Sequence, residues 1–379
     1  MEKMRIGDAC DILNGFAFKS DKYVEDGIRV IRIANVQKGY IEDNAPAFYP
    51  IDTSGLEKYM LEEGDLLMSL TGNVGRVAIL QSEMLPAALN QRVACLRLKT
   101  DKIIKGFLFH ILNSDFFEQQ CIQASNGVAQ KNMSTEWLKD FEIPLYSIEE
   151  QLKITGILDR TRGVICSRNE ELSLLDELIK ARFVELFGNI KEEKLLGEIS
   201  EFVTVGIANS ATHAYAESGI PMLRNQNIRE NYLDDSDLIY IKPEFAAKYE
   251  SKKLKENDII AMRTGYPGVA CLVPKKYEGC QTFTTLIVRL KEDNNPSYVC
   301  SYINSDLGKR FIDSEKVGVA QQNVGAKSLA QMPIKIAPKE LQDEYAAFVK
   351  QVDKSKVAVQ KALDETQLLF DSLMQQYFG

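Results

Sequence analysis

The sequence predicts an α+β protein with a pseudo-two-fold internal repeat: two similar β-rich lobes joined by two long, antiparallel coiled-coil helices. Three observations carry this expectation. First, short stretches recur in the same order at a nearly constant offset. GVAQKN at 127–132 returns as GVAQQN at 318–323, and LNSDF around Asn113, Ser114 and Asp115 returns as INSDL around Asn304, Ser305 and Asp306. GIRVIRIANVQKGYI at 27–41 aligns with GIPMLRNQNIRENYL at 219–233, and LEEGDLLMSLTGNVG at 61–75 with LKENDIIAMRTGYPG at 254–268. The offset stays between 190 and 193 residues. A solenoid repeat runs at roughly 20–50 residues, so the duplicated unit is a whole domain. Second, β-type patterns fill the front of each copy. Third, heptads fill the back.

The front of the first copy holds RVIRIANV (29–36), DLLMSL (65–70), GRVAIL (75–80) and QRVACLRL (91–98), short β-branched or alternating runs punctuated by Gly and Asn. They predict an irregular, mostly antiparallel β-structure. KGFLFHILNSDFFEQQCIQA (105–124) then reads as one helix burying Leu108, Ile111, Leu112 and Phe116, with Phe107 at its edge. The GVAQKN loop follows, and then the extended stretch FEIPL, where Pro144 discourages a helix. The second copy repeats the series through YVCSYINSDLGKRFIDSEK, GVAQQN and MPIKIAP.

Beyond each proline the pattern changes. Leu158, Ile165, Leu172, Ile179 and Leu186 recur every seven residues, with Leu175 in the intervening seam. In the C-terminal stretch Tyr345, Val352, Val359 and Leu373 hold one register and Val349, Leu363, Phe370 and Tyr377 the other. Sustained heptads predict long helices with apolar seams, which pack on each other to bury both. The expected division is lobe 1 at 1–146, helix at 147–190, lobe 2 at 191–337 and helix at 338–379. Two equal lobe-plus-helix units mated antiparallel have an approximate two-fold axis. The Phe-Gly ending the second helix is then expected close to Met1.

Composition narrows the function classes. The chain is 45% hydrophobic and 26% charged, as in an ordinary soluble protein. No run near the N-terminus fits a signal peptide and none approaches a membrane span, so a cytoplasmic protein with no membrane partner is expected. Seven Cys without a CxxC pair and only two His argue for structural thiols and against a metal site. Net charge is −8; residues 1–146 hold 16 Lys+Arg against 20 Asp+Glu, and residues 191–337 hold 19 of each. Nucleic-acid binding would have to rest on local basic clusters or on partners. No P-loop, no Asn-Pro-Pro-aromatic motif and no His-centred catalytic set is present, so the chain is not expected to be an enzyme.

In this order, several motifs together resemble the specificity subunit of type I restriction-modification systems. They are the openings Gly7-Asp8 and Gly197-Glu198 and the run Gly64, Asp65, Thr71, Gly72, Gly75, with its second copy Asp258, Thr264, Gly265, Gly268. The G..Q.N loops and the EEQ or KELQ helix starts complete the set. The likeness covers the whole chain; the second copy departs by carrying Asn257 where Gly64 stands. It implies that each lobe is a target recognition domain reading one half of a bipartite double-stranded DNA site. It also implies that the helices set the spacer and dock two methyltransferase subunits, with restriction or translocase subunits further out. No cofactor is expected on this chain, S-adenosylmethionine belonging to the methyltransferase partner.

Base edges are read by Arg, Asn and Gln, whose paired donors and acceptors match guanine and adenine. The candidates are Arg32 and Asn35 with their repeats Arg224 and Asn227; Asn73 and Arg76 at the first TG turn; Arg263 and Tyr266 at the second; and Gln91 and Arg92 before a strand. The TG turns are equally readable as plain hairpins needing positive φ, and Arg32 and Arg224 as strand residues in ion pairs. Lys131 and Gln322 lie in the repeated loops. Two lobes reading different bases should not share base-reading residues, so these loops fit phosphate contact or structure better. Positions that differ, such as Asn73 against Tyr266, are the better specificity candidates. A two-lobed scaffold binding protein or glycan is the alternative reading.

Overall fold

The computed structural model describes residues 2–125, 132–208, 212–316 and 322–379. They form two compact units, the first made of residues 1–169 with 360–379, the second of residues 170–359. Helices Ile148–Phe187 and Lys339–Phe378 are each shared between the units. Among the described residues no helix is long and apolar enough to cross a membrane.

Unit 1 contains a four-stranded antiparallel sheet in the order Cys10–Asn14, Val93–Leu98, Leu66–Ser69, Val77–Ile79. A smaller sheet, Phe48–Tyr49, Ile28–Ile31 and Ala87–Leu89, includes one parallel pair. The N-terminal strand Glu2–Arg5 pairs antiparallel with Glu142–Leu145, the FEIPL segment. Unit 2 repeats this plan. Its four-stranded sheet runs Ser200–Val205, Leu286–Leu290, Ile259–Ala261, Ala270–Leu272. Met222 and Leu223 pair parallel with Gln281 and Thr282, and Glu193–Leu195 pairs with Pro333–Lys335.

The segment expected as one helix over 105–124 is two, Lys105–Leu112 and Asp115–Ala124. Ser114 breaks it by capping the second helix, its hydroxyl accepting from Phe117 N at 3.2 Å. The break resets the buried face, so Phe117 and Cys121 are enclosed and Phe116 is 48% exposed, contrary to the sequence reading. Ser305 does the same between Pro296–Asn304 and Asp306–Glu315. The recurring Asn-Ser-Asp is thus a helix boundary.

In each unit the two long helices run antiparallel. In unit 1 Leu158 shares a core with Met374 and Phe378, and Phe370 packs on its margin. In unit 2 Ile179, Phe183 and Phe187 meet Tyr345 and Val349, and the ion pairs Arg182–Glu344 and Asp176–Lys356 both close at 2.6 Å. Val352 and Val359 are buried, while Ile165, Leu172 and Leu363 are half-buried. Phe378 packs edge-on against Phe107, and Lys3 lines a cleft with Phe378 and Gly379, so the second Phe-Gly ends beside the N-terminal strand as expected.

Each long helix is fastened to its lobe by one buried glutamine. Gln151 accepts from Ile104 N at 2.9 Å and donates to the carbonyls of Lys102 and Tyr146 at 2.8 and 2.9 Å. Gln342 accepts from Asn295 N and donates to Ala337 O, both at 2.8 Å. Both Gln are essentially inaccessible, so each bond also satisfies a backbone group that water cannot reach.

Candidate nucleic-acid interface

One end of the four-stranded sheet gathers the loops of each lobe. In unit 1, Gln91 N donates to Phe16 O at 2.9 Å, Leu70 N to Arg92 O at 3.0 Å and Met133 N to Leu70 O at 2.9 Å. Thr71 and Asn132 form a β-bridge. The segment after the first sheet strand, the TG turn, the Asn90–Arg92 turn and the exit of the GVAQKN loop are therefore stitched into one edge. Unit 2 repeats two of these three hydrogen bonds and the bridge, and bonds Arg263 N to Asn225 Oδ1 where unit 1 joins Leu70 to Arg92. Thr284 N donates to Ile207 O at 3.0 Å, Val324 N donates to Arg263 O at 3.1 Å, and Thr264 bridges Asn323.

The residues shared by the two edges hold the loops in place. Asn35 and Asn227 are 3% and 1% exposed. Asn35 Oδ1 accepts from Arg32 N at 2.9 Å, and its amide donates to Glu42 O and Asp43 Oδ1. Asn227 accepts from Arg224 N at 2.9 Å and donates to Asp234 O and Asp237 O. This corrects the expectation that they read bases, because a side chain enclosed with donors and acceptor already matched offers nothing to DNA. Arg32 and Arg224 are half-buried; the guanidinium of Arg32 donates to Ala45 O, and that of Arg224 to Asp237 O and Oδ2 at 3.0 and 3.1 Å. Neither lies in a strand, each standing just before a 3-10 turn. Of the alternative reading as strand residues in ion pairs only the Arg224–Asp237 pair is present, Arg32 being held by a backbone carbonyl.

The Gly-Asp of the longer motif is likewise internal. Asp65 receives a two-pronged bond from Arg97, at 2.8 Å to each oxygen, and a third from Glu62 N at 2.8 Å. Asp258 receives the same from Arg289 at 2.8 and 2.7 Å and from Lys255 N at 2.7 Å. The Asp65 carboxylate raises the pKa of the Arg97 guanidinium beside it. Asn257 takes φ +68° where Gly64 takes +78°, so the departure at this position preserves the left-handed turn, which Asn tolerates better than other side chains. At the TG turns Gly75 and Gly268 have φ +81° and +92°, and added Cβ atoms would lie 2.8 and 2.7 Å from Cys121 and Ile312. These turns are tight hairpins seated against the helix behind them.

The exposed side chains of the edge differ between the lobes. Asn73, Gln91 and Arg92 are exposed in unit 1. Arg76 is half-buried and donates to Gln37 Oε1 across the turn. In unit 2 Tyr266 is 76% exposed, Gln322 is exposed and Arg263 is half-buried. Lys131 lies outside the described residues. Sequence reasoning missed Lys19, exposed on the segment that meets Gln91. It also missed the local charge balance. Segments 15–20, 66–80 and 84–100 of lobe 1, and 202–216, 259–277 and 279–291 of lobe 2, contain no Asp or Glu, in a chain of net charge −8. These segments bring cations and amides to the edge without adding carboxylates of their own. Acids reach its margin from other elements, Glu42 through the Gln37 that Arg76 holds and Glu118 on the helix behind the first TG turn.

Comparison with known proteins points the same way. Residues 1–173 and 191–366 match the model of the type I restriction modification DNA specificity domain. The type I restriction enzyme EcoBI specificity subunit of Escherichia coli is 23% identical over 416 residues, covering 99% of this chain and 85% of that protein. The MjaVIII specificity subunit of Methanocaldococcus jannaschii is 30% identical over 186 residues, covering 47% of this chain and 43% of that protein. The crystal structure of a type I restriction-modification S subunit from M. genitalium superposes with TM-score 0.58 at 15% identity, covering 100% of this chain and 96% of that one. The chain belongs to the family of type I restriction-modification DNA specificity proteins, with one specificity-domain match in each half of the sequence.

Proposed function

We propose that this chain is the DNA-recognition subunit of a type I restriction-modification complex, each lobe reading one half of a bipartite double-stranded target. The observation that carries the reading is a sheet edge built from acid-free segments, present once in each lobe of an acidic chain and displaying different exposed side chains in the two. Shared residues build the edge; unshared residues are free to specify sequence. The two 40-residue helices, each about 60 Å long at 1.5 Å per residue, set the spacing of the half-sites. They also leave Leu174, Leu178 and Val357 exposed in unit 2 and Leu368 and Leu369 in unit 1. Such apolar surface on a helix fits the docking of two methyltransferase subunits, followed by restriction or translocase subunits. The chain itself is non-catalytic in this reading, and S-adenosylmethionine is held by the methyltransferase partner. Methylome sequencing of the host with and without this gene tests the proposal. One motif, two short specified parts around an unspecified gap, should disappear with the gene. An unchanged methylome with the methyltransferase gene intact would overturn it.

A further inference from the structure

The two edges differ in kind as well as in sequence. In unit 1 three residues, Asn90, Gln91 and Arg92, join the strands ending at Leu89 and beginning at Val93. In unit 2 only Phe283 and Thr284 separate Thr282 from Thr285, their partners in the equivalent registers. The shorter turn forces Thr284 to φ +54°, a conformation a β-branched residue rarely adopts. On the TG turn of the same lobe stands Tyr266, 76% exposed between Gly265 at φ +83° and the buried Pro267. On these two turns lobe 1 thus presents planar amides and a guanidinium, and lobe 2, which also carries Arg263 and Gln322, a ring and a methyl-bearing side chain.

Resting on the DNA-recognition reading, we infer that the lobes read their half-sites by different chemistry. Lobe 1 hydrogen-bonds purine edges through Asn73, Gln91 and Arg92, and lobe 2 makes apolar contact with thymine methyls through Tyr266 and Thr284. Arg, Asn and Gln pair with purine N7 and its neighbouring group, whereas apolar side chains recognise the thymine C5-methyl. Tyr also loses little freedom on docking because its ring is rigid.

The test uses the full chain with its methyltransferase partners and duplexes carrying the motif found in the host methylome. Arg92→Ala, by making one half degenerate, marks the half that lobe 1 reads. In that half, 7-deazapurines should weaken binding about five- to hundredfold. In the other half, deoxyuridine in place of thymidine should weaken it about fourfold, the worth of one buried methyl. Tyr266→Ala should make thymidine and deoxyuridine duplexes bind alike. Equal sensitivity of both halves to 7-deazapurines, or a lobe 2 half-site without an A·T pair, would overturn the inference while leaving DNA recognition standing. Unmodified target binding no better than scrambled DNA would sink the underlying reading instead.

Discussion

The two lobes match on the inside and differ on the edge. Asp65–Arg97 and Asp258–Arg289 make the same bonds twice, as do Ser114 and Ser305. Gln151 and Gln342, and Asn35 and Asn227, repeat their roles with small changes of partner. Asn73 faces Tyr266, and Asn90–Gln91–Arg92 faces Phe283–Thr284, with neither chemistry nor length kept. The difference teaches that repetition here marks construction. A residue retained in both copies serves a need both lobes have, and under the proposed function two lobes with different DNA targets share the need to fold.

The comparison breaks first at the carboxylates. Asp65→Ala leaves the Arg97 guanidinium without its main partner in a site where Asp65 is 5% exposed. It should destabilise unit 1 by about 3 kcal/mol, and Asp258→Ala should cost unit 2 a similar amount. Denaturant unfolding followed by hydrogen exchange reads this. A loss in one lobe only would mean the two pairs are not equivalent.

Gln151→Leu comes next. It strands Ile104 N and two carbonyls, and should cost about 2 kcal/mol. The loss should appear as faster exchange at the start of the Ile148–Phe187 helix, with the sheet of the same lobe unaffected. Uniform loosening of the lobe would contradict a local fastening role.

The smallest effect sharpens an asymmetry. His110 is buried in unit 1 with Nε2 2.7 Å from Asp159, while the second copy has Ser301 and Lys350 at these places. Burial lowers the pKa of His110 below its ordinary 6.5, outweighing the opposing pull of Asp159. The unfolded chain therefore takes up this proton first, and the imidazole's contribution is complete above pH 6.5 and declines as pH falls below it. Between about pH 7.5 and about 5.5, unit 1 should lose protection relative to unit 2, after correction for intrinsic exchange. His110→Asn should remove that difference; equal acid sensitivity of both units would contradict it.

Much of this architecture was legible in the sequence because its signals are periodic or repeated. The heptads gave both helices to within a few residues, and the offset alignment gave the two lobes. The single helix over 105–124 was a misreading for a physical reason. One capping hydroxyl at Ser114 shifts the buried face by a residue, and apolar periodicity cannot register that. Asn35 looked like a base reader because Asn both caps turns and reads adenine, and only burial separates the roles. The edge built from acid-free segments was hidden because these are scattered along the chain and meet through backbone bonds such as Gln91 to Phe16. Whole-lobe charge counts averaged it away.

The central claim is that unshared edge residues of one lobe specify one half of the target. The direct measurement is the host methylome with Asn73→Ala, Gln91→Ala and Arg92→Ala combined in this chain. These side chains are exposed, so stability should hold to within about 0.5 kcal/mol. The account predicts that methylation persists, with specified bases becoming degenerate in one half of the motif and the other half and the gap unchanged. Degeneracy in both halves, or an unaltered motif, would contradict it.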